Sequence, residues 1–121
     1  MHRAVIDLGT NTFNLLIADT QTRQVLFQTK EGVALGMGGI NEKRISDEAM
    51  VRALEALRQF KAHCLQWKVQ EIRAIGTSAL RDAKNAPDFL QKVFIELQIS
   101  IQIISGLQEA DLIYKGVQLT Y

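Results

Sequence analysis

Ala4-Val5-Ile6-Asp7-Leu8-Gly9-Thr10-Asn11-Thr12-Phe13-Asn14-Leu15-Leu16-Ile17-Ala18-Asp19 decides how the rest of the chain is read. An apolar run carries Asp7 near its end, a turn of small polar residues follows, and a second apolar run begins. Two strands joined by so tight a turn can only be antiparallel. Asp7 then stands where a buried strand ends, beside residues whose backbone N–H groups can point outward. A metal ion held by such a carboxylate can meet a phosphate held by the turn. Taken alone, Gly9-Thr10-Asn11-Thr12 fits a plain hairpin turn as well as a phosphate loop, since glycine gives backbone freedom and threonine and asparagine give side-chain donors in either case. Asp7 favours phosphoryl chemistry, because a carboxylate ending an apolar strand is costly unless it is paired, hydrogen-bonded or near a metal.

Outward from this hairpin, residues 3–8, 12–19 and 23–33 read as consecutive strands turning at Gly9-Thr10-Asn11 and near Thr20-Gln21-Thr22. Leu35 to Lys43 is glycine-rich and reads as a loop. Ser46 caps a long helix with Asp47 and Glu48 in its first turn, facing the positive end of the helix dipole. Met50, Leu54, Leu57, Cys64 and Leu65 recur at helical spacing beside Ala53 and Phe60, a stripe that should pack on a sheet. A strand over 70–76 ends at Gly76, and Thr77-Ser78-Ala79-Leu80-Arg81 begins a short helix or turn. Pro87 opens a helix to about Gln98. Ile99–Ile104 reads as a buried strand, and Ser105 begins a last helix that meets no stop signal before Tyr121. The order βββαβαβα describes a mixed α/β sheet: a hairpin meander extended by helix-connected parallel strands.

The composition narrows the class. The chain has 121 residues, 47% hydrophobic and 22% charged, with a formal net charge of +1. It can bury a real core, and it carries no general attraction for nucleic acid or membrane, so anions must be bound by a local site. No apolar run approaches the ~18 residues that span a bilayer, and Met1-His2-Arg3 does not open a signal peptide. Cys64 is the single cysteine, which leaves no internal disulfide and suits a cytoplasmic protein with a buried structural thiol. His2 and His63 lie far apart, outside any metal-ligand pattern.

Three further stretches could carry chemistry. Leu35-Gly36-Met37-Gly38-Gly39 allows close backbone approach, although a flexible connector fits it equally and it lacks the nucleotide-binding glycine pattern. Thr77-Ser78-Ala79-Leu80-Arg81 follows a strand's carboxyl end, where open α/β sheets gather their sites. Arg81 there either reaches back to a phosphate or is solvated. In Ser105-Gly106-Leu107-Gln108-Glu109 the serine and Gln108 match a capping box. Glu109 falls in the apolar arc between Leu112 and Ile113, whereas Asp111 and Lys115 pair on the polar face. Glu109 is thus a candidate base, or else a carboxylate favoured by the helix dipole at the core's rim.

Together these segments resemble the exopolyphosphatase / guanosine pentaphosphate phosphohydrolase family. The resemblance runs from Ala4 to Val117 through Ala4–Leu16, Leu35–Ser46, Gly76–Arg81 with Asn85-Ala86-Pro87-Asp88-Phe89-Leu90, and Ile103–Val117. It implies a ribonuclease H-like domain of the actin / sugar-kinase / Hsp70 superfamily, here the N-terminal domain over residues 1–121, with the second domain absent. It further implies that Asp7 helps to hold Mg2+, that Gly9, Thr10, Asn11 and Thr12 form the first phosphate loop, that Thr77, Ser78 and Arg81 contact phosphates, and that Glu109 activates or orients the attacking water. The reaction would release terminal phosphate from inorganic polyphosphate, or the 5′ γ-phosphate from guanosine pentaphosphate.

Two departures qualify the expectation. Ala34 stands where the family usually has an arginine, which removes one phosphate-contacting cation. The family's second domain closes the site with an Asp-x-Gly-Gly-Gly-Ser loop, and nothing in this chain matches it. The isolated chain is therefore expected to be inactive, and its uncovered face is expected to favour a homodimer. A non-catalytic phosphate-binding or interaction module is the alternative reading.

Overall fold

The computed structural model describes residues 1–35, 44–76, 80 and 83–103. Among them the elements run β1 (His2–Leu8), β2 (Thr12–Asp19), β3 (Val25–Gly32), α1 (Asp47–Gln66), β4 (Glu71–Gly76), α2 (Ala86–Leu97) and β5 (Ile101–Ile103). The sheet order is β3-β2-β1-β4-β5. β1, β2 and β3 form the expected antiparallel meander, and β4 and β5 extend it on the other side as parallel strands. The expected last helix from Ser105 lies outside the described residues.

Alternation along the strands assigns the two faces of the sheet. Ala4, Ile6 and Leu8 pair with Ile17, Leu15 and Phe13 on one side and with Ile72, Ala74 and Gly76 on the other. This row forms one core with Ala49, Ala53, Leu57, Phe60 and Cys64 of α1 and with Phe89 and Val93 of α2. Arg3, Val5 and Asp7 alternate to the opposite face.

Local chemistry explains the element ends. β3 starts later than expected because residues 19–24 close the turn: the Asp19 carboxylate accepts from the N–H groups of Gln21 and Thr22, and the Asp19 and Gln24 backbones bond each other. Those two N–H groups, Thr22 first, hold the Asp19 carboxyl below the usual carboxylate range. Arg23 takes a left-handed φ of 63° there. Ser46 caps α1 as expected, its side chain accepting from Ala49 N–H at 3.1 Å. Asn85 caps α2 differently. Its side chain makes no bond to its own helix; it donates to the Ile45 carbonyl and accepts from the Ile45 N–H, both at 2.8 Å. The starts of the two helices are thereby pinned together.

Two expectations are corrected. Leu65 is 68% exposed: in the last turn of α1 the core takes its neighbour Cys64, and Leu65 falls on the flank of the buried stripe. Of the buried strand expected over Ile99–Ile104, the stretch from Ile101 pairs and forms an edge among the described residues, with Gln102 exposed and Ile101 and Ile103 half-buried. Ile99 reaches the core before the strand begins. Cys64 is buried as expected, and burial pushes its thiol up to about 11, so it stays protonated and unreactive near neutral pH.

Phe60 is fully buried in the core. Phe60→Ala is expected to cost about 3–5 kcal/mol, from lost transfer energy and the cavity left behind. Against a domain stability of roughly 5–15 kcal/mol, the urea midpoint should fall steeply; a midpoint within error of the unsubstituted chain would contradict this packing.

Candidate functional site

β1 is where the chain's path divides, with β2 and β3 on one side and β4 and β5 on the other. In α/β sheets a crevice forms outside the carboxyl ends of strands at such a switch point. Along this edge Leu8 pairs in register with Gly76, and Gly76 with Ile103. The turn after β1 rises from this edge.

Asp7 pairs in register with Asn14 and Ile75 and lies on the face turned away from the helix-covered core. Val5 and Ile75 on that face are buried. The Oδ1 atom of Asp7 is itself buried and has no hydrogen-bond partner among the described residues. An orphaned carboxylate oxygen is costly, and its position fits a cation. Mg2+ commonly takes one or two carboxylates and completes its shell with waters and substrate phosphates.

The turn over residues 9–12 is closed by the Gly9 N–H donating to the Thr12 carbonyl at 3.2 Å. A Cβ on Gly9 would stand 2.9 Å from that carbonyl oxygen, so the turn admits no side chain there. The Asn11 carbonyl accepts from the N–H groups of both Val33 (2.8 Å) and Ala34 (2.9 Å), which fastens the tip of the turn to the segment leaving β3. Asn11 itself is exposed, while Thr10 and Thr12 are half-buried. The turn thus stands beside a carboxylate whose Oδ1 is buried and without a partner among the described residues.

The structure therefore brings together Asp7, Gly9, Thr10, Asn11 and Thr12. Thr77, Ser78, Arg81 and Glu109 lie outside the described residues, as do Gly36, Gly38 and Gly39; Gly76, just before Thr77, ends on the same edge as Leu8. Both histidines are away from this edge. The His2 Nδ1–H donates to the Trp67 carbonyl at 2.6 Å at the opposite edge, and His63 stacks on Phe27 with ring centres 4.6 Å apart. A hollow of about 410 Å³ over β4 and β5 is lined by Val5, Arg73, Ser100 and Gln102 among others and includes none of the site residues.

Sequence reading missed two contributors. Arg52 donates from Nε to the Val33 carbonyl at 2.8 Å and from Nη2 to the Ala34 carbonyl at 3.2 Å. Asn85 joins the helix starts that flank the site's connections. The available signal for Arg52 was its spacing: it lies at i+3 from Ala49 and i−4 from Ala56, both buried, which puts a cation on the flank of the apolar stripe.

Comparison with known proteins identifies the family and the fold. Residues 16–121 match the Ppx/GppA phosphatase family. An exopolyphosphatase from Cytophaga hutchinsonii is 40% identical and superposes with a TM-score of 0.89, over 98% of this chain and 38% of that one. The Ppx/GppA family member of Aquifex aeolicus is 26% identical with a TM-score of 0.88, over 98% of this chain and 40% of that one. The chain thus spans about two fifths of the length of these relatives. The likeness extends, as fold alone, to a ROK family transcriptional regulator at 13% identity and a TM-score of 0.57, consistent with an actin-like, ribonuclease H-like fold. With a family match over most of its length and the same sheet as its relatives, the chain belongs to the Ppx/GppA phosphatase family.

Proposed function

We propose that this chain is the N-terminal, phosphate- and metal-binding domain of a phosphohydrolase that releases terminal phosphate from inorganic polyphosphate. The observation that carries the reading is the buried Oδ1 of Asp7, without a partner among the described residues, beside the turn over residues 9–12. Asp7 would hold Mg2+, which when bound offsets phosphate charge. The cradle of Gly9, Thr10, Asn11 and Thr12 would orient the terminal phosphates, with Thr77, Ser78 and Arg81 contributing from the end of β4. Glu109 would accept a proton from the attacking water. Phosphoanhydride hydrolysis asks for little beyond such positioning and charge stabilisation.

Guanosine pentaphosphate would present the same phosphate groups to the same residues. The likeness to an exopolyphosphatase from Cytophaga hutchinsonii supports polyphosphate as the substrate proposed first. Turnover is proposed to require a second domain facing this one, since the chain covers 38% of that relative. The cytoplasm is the proposed site of action, supported by the lone buried thiol. A homodimer of the isolated chain is proposed on the face the second domain would cover.

The test measures phosphate release from polyphosphate, with guanosine pentaphosphate as competitor, by the chain alone and by a two-domain protein carrying it. Release by the two-domain protein alone, abolished on chelating Mg2+, is expected. Metal-dependent binding without turnover in the two-domain protein would make the chain a phosphate-binding module instead.

A further inference from the structure

The turn over residues 9–12 is held by more than its own Gly9–Thr12 bond. Its tip is tied to Val33 and Ala34, whose N–H groups both donate to the Asn11 carbonyl. The carbonyls of the same two residues are taken by Arg52. Val33 and Ala34 are therefore bonded on one side to the turn and on the other to α1, with a single side chain as the anchor on the helix. Ala34 adopts φ 51°, a left-handed backbone unfavourable for a residue with a Cβ, and hydrogen bonds from a charged donor offset that cost. None of the ion pairs among the described residues involves Arg52, so its guanidinium serves these carbonyls rather than an acid.

We infer that Arg52 is a positioning residue of the phosphate cradle: through Val33 and Ala34 it sets where the turn stands at the carboxyl edge, and so how tightly that turn holds a phosphate. The inference rests on the cradle reading proposed above. Arginine suits the task because the Nε–H and Nη2–H edge of a planar guanidinium presents two donors in fixed geometry to two neighbouring carbonyls. Lysine keeps the charge but offers no such fork.

The test compares R52M and R52K with the unsubstituted chain. R52M retains most of the apolar stem that packs along α1. Amide hydrogen exchange at Val33 and Ala34 reads the clamp, exchange at Ile6 and Ile75 reads the sheet, and calorimetry with tripolyphosphate and Mg2+ reads the cradle. Both variants are expected to exchange about tenfold faster at Val33 and Ala34 and to bind tripolyphosphate about tenfold more weakly, with the sheet amides unchanged. Affinity equal to that of the unsubstituted chain in R52M overturns the inference, because a merely structural arginine would loosen the loop and leave the ligand alone. Full affinity in R52K overturns it too, since charge and not the fork would then be at work. Failure of the unsubstituted chain to bind tripolyphosphate overturns the cradle reading itself, a result distinct from equal binding by all three proteins.

Discussion

Asp7→Asn is expected to slow phosphate release about 10²–10³-fold in a two-domain protein carrying this chain, while the domain unfolds at the same urea concentration or a higher one. The two effects have one origin. The Asp7 carboxylate sits near the end of β1, between Asn14 and Ile75 in register, with Oδ1 buried and without a partner among the described residues. A buried oxygen without a partner is costly in the absence of a cation, and replacing the carboxylate by an amide is expected to lessen that cost. With Mg2+ bound, the same charge becomes the attraction that holds the metal, and asparagine supplies far less of it. A residue that works against the fold unless its ligand is present marks a functional site. The metal gives a second readout. Adding Mg2+ should raise the melting temperature of the unsubstituted chain by linkage and leave Asp7→Asn unmoved. A variant that loses stability and keeps its turnover would remove Asp7 from the metal's coordination.

The parts of the molecule legible in the sequence are those with a local cause. The β1–β2 hairpin follows from two apolar runs and a turn too short for any other path, and its observed register from Leu8–Phe13 to His2–Asp19 runs without a slip. The start of α1 follows from the reach of Ser46 to its own N–H at Ala49. What was not legible depends on distant partners. Leu65 sits beside the helical stripe, but the sequence does not say which flank of that stripe the core will cover; it covers Cys64 and leaves Leu65 exposed. Ile99 to Ile104 looks like a central strand by composition, yet its neighbours decide how much of it pairs, and among the described residues only one side of β5 has a partner. The site divides the same way. Asp7 and the turn announce themselves through contiguous residues. Arg52 is separated from Val33 and Ala34 by the whole connection into α1, and no local pattern marks a guanidinium that will meet two backbone carbonyls. Asn85 was read as part of a motif, but its bidentate pairing with Ile45 joins segments 40 residues apart.

Glu109→Gln is expected to give the other large loss, about 10²–10⁴-fold in turnover, with a different signature. Glu109 lies outside the described residues, and its case is made by the sequence: a carboxylate in the first turn of the helix expected after β5, on the apolar arc, while Asp111 and Lys115 take the polar face. Glutamine keeps the size and can still hydrogen-bond a water, but it cannot accept that water's proton. Binding should therefore survive where chemistry does not. Glu109→Gln should retain Mg2+-dependent affinity for tripolyphosphate and a near-normal KM, and lose kcat, whereas Asp7→Asn should lose the metal response itself. Combining the two should cost little more than the worse single change, because groups serving one chemical step are not additive. Turnover within about tenfold of the unsubstituted enzyme, too small a loss for a missing general base, would show that the water is activated elsewhere. The base would then have to be sought in the second domain, and this chain's share of the chemistry would be confined to holding metal and phosphate.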